Sequence, residues 1–154
     1  MQMIALLLLA AAPSSTSTAA IDAAMHADEA DQAKCMDNPN NYAQQRMNAC
    51  AAASFERADA ALNAQWAKTL KVYRQSDTDN KAIGADLADG AENLLKGQRA
   101  WLIYRDATCR AMTSLSGGGS IAPLNFSICM ADLTWKRVNE LSALTINPNS
   151  GEQM

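Results

Sequence analysis

The sequence is short of the residues that build most metal and catalytic sites. It has a single histidine, His26, and none of its four cysteines stands in a Cys-x-x-Cys motif. Zinc ribbons, thioredoxin-like redox sites and haem attachment need that spacing, and a histidine-based triad needs a histidine inside the folded domain. We therefore expect no metal, no cofactor and no enzymatic activity.

An excess of basic residues is also missing. The chain has 13 lysines and arginines against 16 aspartates and glutamates, which gives a net charge of −3 at pH 7. A nucleic-acid-binding domain presents a basic face, so this balance argues against DNA or RNA as a partner. It is compatible with a cationic protein partner.

Long runs of apolar residues are missing from the sequence after its first residues. Residues 4–12, IALLLLAAA, form an apolar run that is too short to span a bilayer and is typical of a signal peptide. Small residues follow, and the best cleavage position comes after Ala20. No cysteine lies there for lipid attachment. We expect a signal peptide over residues 1–20, a flexible leader over 21–34, and a periplasmic or secreted protein without a stable membrane anchor. The alternative is a disordered apolar N-terminus on a cytosolic protein.

Helical periodicity dominates the rest of the sequence. Apolar residues recur at intervals of three and four over residues 41–75, 79–115 and 124–144, with a kink or break expected near Gly90. Nothing has the alternation of a strand. The sequence predicts an all-α domain over residues 35–145, a small bundle of three main helices, followed by a flexible tail at 146–154. The second helix is expected to bury, among others, Ile83, Trp101, Leu102 and Met112.

An even number of cysteines in a short exported chain predicts a disulfide framework. The four are Cys35, Cys50, Cys109 and Cys129. Antiparallel packing of the first two predicted helices places all four at one end of the bundle. The short loops favour Cys35–Cys50 and Cys109–Cys129, at roughly 3 kcal/mol of stabilisation each, while the other two connectivities stay open.

The stretch QRAWLIYRDATC, residues 98–109, mixes apolar and charged residues. At helical spacing Gln98, Trp101, Arg105 and Cys109 share one stripe, which directs Arg105 inward. We expect a structural polar network of Asp59, Gln98 and Arg105, with Glu56 as another possible partner of the arginine. Leu102 and Tyr104 have the character of core residues. The alternative is that Arg99, Arg105 and Asp106 form a surface for a ligand or partner.

Four blocks of the sequence resemble the LprI-type domain. They are QQRMNACAAASFERADAALNAQW at residues 44–66, the stretch at 98–109, GGS at 118–120, and LTWKRVNEL at 133–141 with Cys129 before it. This family consists of small exported helical domains with disulfide staples and is named after a mycobacterial lipoprotein that inhibits lysozyme. The resemblance implies an inhibitor or binder of a lysozyme-type muramidase. The lipid-modified cysteine of the namesake is absent, so membrane tethering is not implied.

Inhibition of a muramidase requires something narrow and rigid in its cleft. The candidate is the loop of Gly117, Gly118, Gly119 and Ser120, with Arg99 and Asp106 as further candidate contacts. Alternatively the glycines only turn the chain between two helices. The alternative function is an envelope structural or stress-related interaction module without lysozyme affinity.

Overall fold

The computed structural model describes residues 18–41, 43–86 and 89–145. Within these ranges the secondary structure is helical, and no strand occurs there. The four α-helices are α1 (Thr18–Met36), α2 (Gln44–Ala82), α3 (Gly90–Ser114) and α4 (Ala122–Ala143), with a short 3-10 helix at Pro39–Asn41. The predicted all-α class is confirmed, but the prediction of three main helices is wrong, because the described residues form four.

The additional helix, α1, includes the segment that the sequence predicted to be a flexible leader. Its side chains reach the core, since Ile21 and Asp28 are buried. The helix is rich in alanine and has few large apolar residues, which is why its periodicity is weak. Residues 1–17 of the predicted signal peptide and the predicted tail at 146–154 lie outside the described residues, and cleavage after Ala20 stays a prediction.

Helix α2 corresponds to the first predicted helix, which was expected to end at residue 75. It continues beyond that point, through a polar stretch, to Ala82. Polar side chains support it there: the Gln75 amide donates to Asp79 Oδ1 at 2.9 Å, and the Thr78 hydroxyl donates to the Arg74 carbonyl at 2.9 Å. A solvated helical turn does not need apolar residues. The helical structure is therefore interrupted between Ala82, where α2 ends, and Gly90, where α3 begins. Helix α3 thus begins about ten residues later than predicted.

The interface between α2 and α4 is the most extensive in the bundle, and α1 and α3 flank this pair. Residues from all four helices form the main buried cluster, namely Ile21, Ala58, Leu62, Leu94, Trp135, Val138 and Leu141. A second, smaller cluster consists of Cys109, Cys129 and Met130, with Phe55, Phe126 and Leu133 packed against it.

Two disulfides attach the flanking helices to the central pair. Cys35 of α1 is bonded to Cys50 of α2, and Cys109 of α3 is bonded to Cys129 of α4. This is the pairing that the loop lengths favoured, with sequence separations of 15 and 20 residues.

A carboxylate of α2 caps the first turn of α3. Asp77 Oδ1 accepts a hydrogen bond from the Gly90 amide and Oδ2 accepts one from the Ala91 amide, both at 2.9 Å. An anion at a helix N-terminus satisfies amides that have no partner within the helix. The approach is close: a Cβ on Gly90 would lie 3.0 Å from Asp77 Oδ1 and 3.1 Å from the Tyr73 ring.

Candidate functional site

The connection between α3 and α4 is folded as consecutive tight turns. Four backbone hydrogen bonds of 2.9–3.3 Å close it, from the amides of Ser116, Gly117, Gly119 and Ala122 to the carbonyls three residues earlier. Gly117 and Gly118 adopt φ values of 63° and 72°. This left-handed region is accessible to glycine without the steric cost that other residues incur. The glycines therefore determine the shape of this loop.

Contacts at its base hold the loop in place. The Asn125 amide of α4 donates to the Ser116 hydroxyl at 2.9 Å. The disulfide between Cys109 and Cys129 joins the two helices that carry the loop, about two turns below it on the α3 side. The loop is thus ordered by its own backbone and by its supports before any partner binds.

Exposed apolar side chains flank the glycines of the loop. Leu115 is 90% exposed, and Ile121 on the other side of the glycines is also exposed. No atom lies within 4 Å of a Cβ placed on Gly117 or Gly118, so the glycine backbone faces open space. A projection of this kind suits insertion into a groove of a partner.

A shallow depression of about 230 Å³ lies beside the base of the loop. Its lining residues are Met112, Asn125, Ile128, Cys129 and Asp132. Partial burial raises the pKa of the Asp132 carboxyl above its ordinary value, and the nearby Lys136 ammonium acts in the opposite direction. The Sδ atom of Met112 lies 3.6 Å from Cys129 Sγ. The depression is small and open, and it could receive a side chain of a partner that binds at the loop.

Arg105 lies buried between α2, α3 and α4. Its guanidinium is 3.6 Å from Asp59 Oδ1 and 3.0 Å from Asp106 Oδ1, and it donates to the Thr134 hydroxyl at 3.3 Å. The structure thus brings Arg105 and Asp59 together, while Glu56 is exposed. Asp106 was expected to bind a partner protein, and in this structure its carboxylate forms an ion pair with Arg105.

Aromatic rings complete the surroundings of this arginine. The Arg105 guanidinium carbon lies 5.4 Å from the centre of the Phe55 ring and 5.2 Å from that of Trp101. Arg137 of α4 approaches Trp101 as well, at 5.7 Å. A guanidinium above an aromatic face is stabilised by the quadrupole of the ring, the more so where water is excluded.

Gln98 takes part in a neighbouring contact rather than in that of Arg105. Its Oε1 accepts a hydrogen bond of 2.9 Å from Arg137 Nε, and Arg137 also pairs with Glu140 at 2.7 Å. Arg137 was not predicted as part of this contact, since an arginine in a predominantly polar stretch of α4 gives no indication that it reaches Gln98.

Several residues of the second predicted helix were wrongly expected in the core. Leu102 and Tyr104 are exposed, and so are Ile83 and Met112. The buried face of α3 consists instead of Leu94, Gln98, Arg105 and Cys109. Because two polar side chains occupy that face, the apolar residues at 102–104 point elsewhere.

Arg99 is exposed and lies ten residues before Cys109, about 15 Å along the helix axis. The structure therefore does not place it at the glycine loop. Among the described residues no three histidines, cysteines, aspartates or glutamates are grouped as metal ligands would be. Nor does any described helix have the length and apolar character needed to cross a membrane.

Comparison with known proteins identifies the family. The family model described as Lysozyme inhibitor LprI matches residues 35–141, which is well over half of the chain. The chain belongs to this family. It is also 38% identical over 101 residues to Uncharacterized protein R02472 of Rhizobium meliloti (strain 1021), which covers 66% of this chain and 73% of that relative. No solved structure matches the chain.

The resemblance found in the sequence is therefore confirmed, and LprI is a family of inhibitors rather than of enzymes. The range matched by the LprI model contains both disulfides, the glycine loop and the Arg105 contacts. Most of α1 precedes this range.

Outside the LprI range, α1 is anchored by a buried charge that the sequence analysis missed. Asp28 accepts hydrogen bonds from the Ser54 hydroxyl at 2.7 Å and the Trp135 indole at 2.9 Å, and it pairs with Arg57. The buried and half-buried side chains of α1 do recur at helical spacing, at Ile21, Met25, Asp28, Gln32 and Cys35. That spacing could have indicated a helix packed against the bundle. Asp28 and Gln32 hide it, because they are polar residues at positions where apolar ones are expected.

Proposed function

We propose that this protein is an exported inhibitor or binder of a lysozyme-type muramidase, acting in the periplasm or after secretion. Family membership supports the class of partner. Two disulfides are typical of proteins that work in an oxidising compartment outside the cytosol. The structural observation behind the proposal is the glycine loop, which is held by tight backbone turns, flanked by the exposed apolar residues Leu115 and Ile121, and supported by the Cys109–Cys129 disulfide.

A muramidase cleaves its glycan with two carboxyl groups that lie in a cleft. An inhibitor that fills the cleft binds more tightly if its inserted segment is already ordered, because less conformational entropy is lost on binding. Leu115 supplies exposed apolar surface where α3 enters the loop, and the glycines allow close approach of the backbone. The net charge of −3 would accelerate encounter with a cationic lysozyme.

The decisive experiment alters the loop without altering the fold. Gly119 is the best position, because a Cβ there meets only the Ser116 carbonyl at an ordinary 3.6 Å, whereas Gly118 has a φ value that disfavours any side chain. We expect Gly119→Leu and Leu115→Ser each to raise the inhibition constant about tenfold, which is the size of effect that interface hot spots show. Ala64→Leu, at an exposed position of α2, is the matched control and should inhibit like the wild type.

Inhibition should be measured as protection of cell walls from c-type, g-type and i-type lysozymes at physiological salt, so that simple charge attraction is screened. If both loop variants protect as well as the wild type, the loop is a connector and the contact lies elsewhere. If the wild type protects against none of the three classes, the proposal is wrong and an envelope interaction module is the better description.

A further inference from the structure

The outward face of α3 is apolar at its centre. Leu102, Ile103 and Tyr104 are consecutive, and all three are exposed, Ile103 by 72% and Tyr104 by 57%. Consecutive residues on a helix are separated by about 100°, so Ile103 and Tyr104 lie on the outward side of α3, whereas Leu102, which is 37% exposed, is in line with the buried Cys109 and only borders that side. On a helix that faces water this surface is normally polar, and contiguous exposed apolar patches mark interaction sites.

Two arginines without partners border this apolar patch. Arg99 and Arg110 are exposed, and neither forms an ion pair or hydrogen bond with any other residue that the structure describes. The other two basic residues of α3 are paired, Lys96 with Glu92 and Arg105 with two aspartates. Eleven residues are about three turns, so Arg99 and Arg110 lie on the same side of α3, about 16 Å apart.

We propose that this outward face of α3, formed by Arg99, Ile103, Tyr104 and Arg110, is a second contact surface for the muramidase, against the carboxylate-bearing wall of its glycan cleft. The inference rests on the proposed function and assigns the surface that accompanies the loop. Arginine and tyrosine are the side chains that most often dominate the energy of protein interfaces.

The charges of the α3 face favour a muramidase cleft as its partner. The chain as a whole is acidic, yet the α3 face presents two unpaired cations, so its partner needs acidic groups next to apolar surface. A cationic muramidase carries its essential carboxylates in the cleft, and binding clefts are lined mainly by apolar and aromatic side chains. The acidic remainder of this chain would then face the basic surface around that cleft.

The α3 face and the glycine loop are neighbours along the chain. Arg110 lies seven residues before Gly117, about 10 Å along the chain axis, and α3 leads directly into the loop. From Arg99 to the loop the strip is about 27 Å long. A standard interface buries about 800 Å² on each partner, which a loop of four residues does not supply alone.

The test uses the full exported protein and four substitutions on α3: Arg99→Gln, Arg110→Gln, Ile103→Ser and Tyr104→Ser. Matched controls change the same chemistry on the exposed side of α2, with Arg74→Gln and Val72→Ser. Binding to purified muramidase is titrated at two salt concentrations, beside melting curves for each variant. We expect each α3 variant to weaken the Kd about tenfold and each control to change it less than twofold, with melting temperatures unchanged.

The arginine variants separate local contact from general attraction. Each changes the net charge from −3 to −4, which would strengthen attraction to a cationic enzyme if only overall charge mattered. Weaker binding, with a smaller dependence on salt, would support direct contact between these arginines and carboxylates.

Three results would overturn the inference. If the α3 variants bind like the wild type while Leu115→Ser binds weakly, the proposed function stands and the α3 face is not part of it. If light scattering shows a dimer that Ile103→Ser dissociates without loss of muramidase binding, the face joins two copies of the chain. If the wild type binds no muramidase, both proposals fail.

Discussion

The two helices that flank the central pair are attached by the same kinds of contact but with opposite charges. Each has one disulfide to the pair and one buried ionised side chain, Asp28 in α1 and Arg105 in α3. Asp28 receives hydrogen bonds of 2.7 and 2.9 Å from α2 and α4, whereas Arg105 lies among aromatic rings, with two carboxylates at its edge and a longer hydrogen bond of 3.3 Å to Thr134 of α4.

The two attachments differ in the partner groups that lose their contact when Asp28 or Arg105 is substituted. Two donors of Asp28, the Ser54 hydroxyl and the Trp135 indole, belong to buried residues. The carboxylates beside Arg105 are nearly half exposed, 42% for Asp59 and 48% for Asp106, so water can solvate them. A buried polar group without a partner costs more than a hydrated one, and the two attachments should therefore differ in strength.

The largest effect is expected for Asp28→Ala. The substitution leaves the Ser54 and Trp135 donors without an acceptor and removes the partner of Arg57, so unfolding should become easier by about 3 kcal/mol. Chemical denaturation followed by circular dichroism measures this change. Asp31→Ala, an exposed aspartate on the same helix, is the control and should stay within about 0.5 kcal/mol of the wild type. Equal stabilities of the two variants would contradict the role of Asp28 as an anchor.

A smaller loss is expected for Arg105→Met. Methionine fills much of the same space and packs well against Phe55 and Trp101, and the two aspartates can be hydrated, so we expect about 1–2 kcal/mol. The same denaturation experiment, with exposed Arg99→Met as control, gives the comparison. A loss as large as that of Asp28→Ala would mean that the carboxylates depend on Arg105 more than their exposure indicates.

The contrast between these attachments also explains what the sequence could reveal. The all-α class and the disulfide pairing follow from local signals, the periodicity of apolar residues and the spacing of cysteines such as Cys109 and Cys129. In α1 the corresponding periodicity was hidden, because the polar Asp28 stands in its buried stripe and the donor Trp135 is 107 residues away. A buried carboxylate can be recognised only when the distant groups that satisfy it are known.

The same limit applies to α3. The periodicity of apolar residues assumes that large apolar side chains face inward, but Arg105 occupies the inward position and Leu102 and Tyr104 are exposed. Rings from α2 and α3 make the burial of this arginine possible, and their arrangement depends on the tertiary fold. For the candidate site, the glycine loop is apparent in the sequence, whereas the exposed α3 face appears only when the inward stripe is known.

The smallest expected effects concern the third attachment of α3, at its first turn, where two glycines respond in opposite directions to the same substitution. Gly90→Ala places a methyl group 3.0 Å from Asp77 Oδ1 and 3.1 Å from the Tyr73 ring, which disturbs the cap and should cost about 1 kcal/mol. Gly97→Ala adds a methyl group in open space within α3, where alanine favours the helix, and should stabilise by up to about 1 kcal/mol. Melting temperatures of the two variants, measured side by side, decide the point. If both substitutions raise the melting temperature, the capping contact between Asp77 and α3 adjusts without cost, and the attachment of α3 then depends on its disulfide and on Arg105.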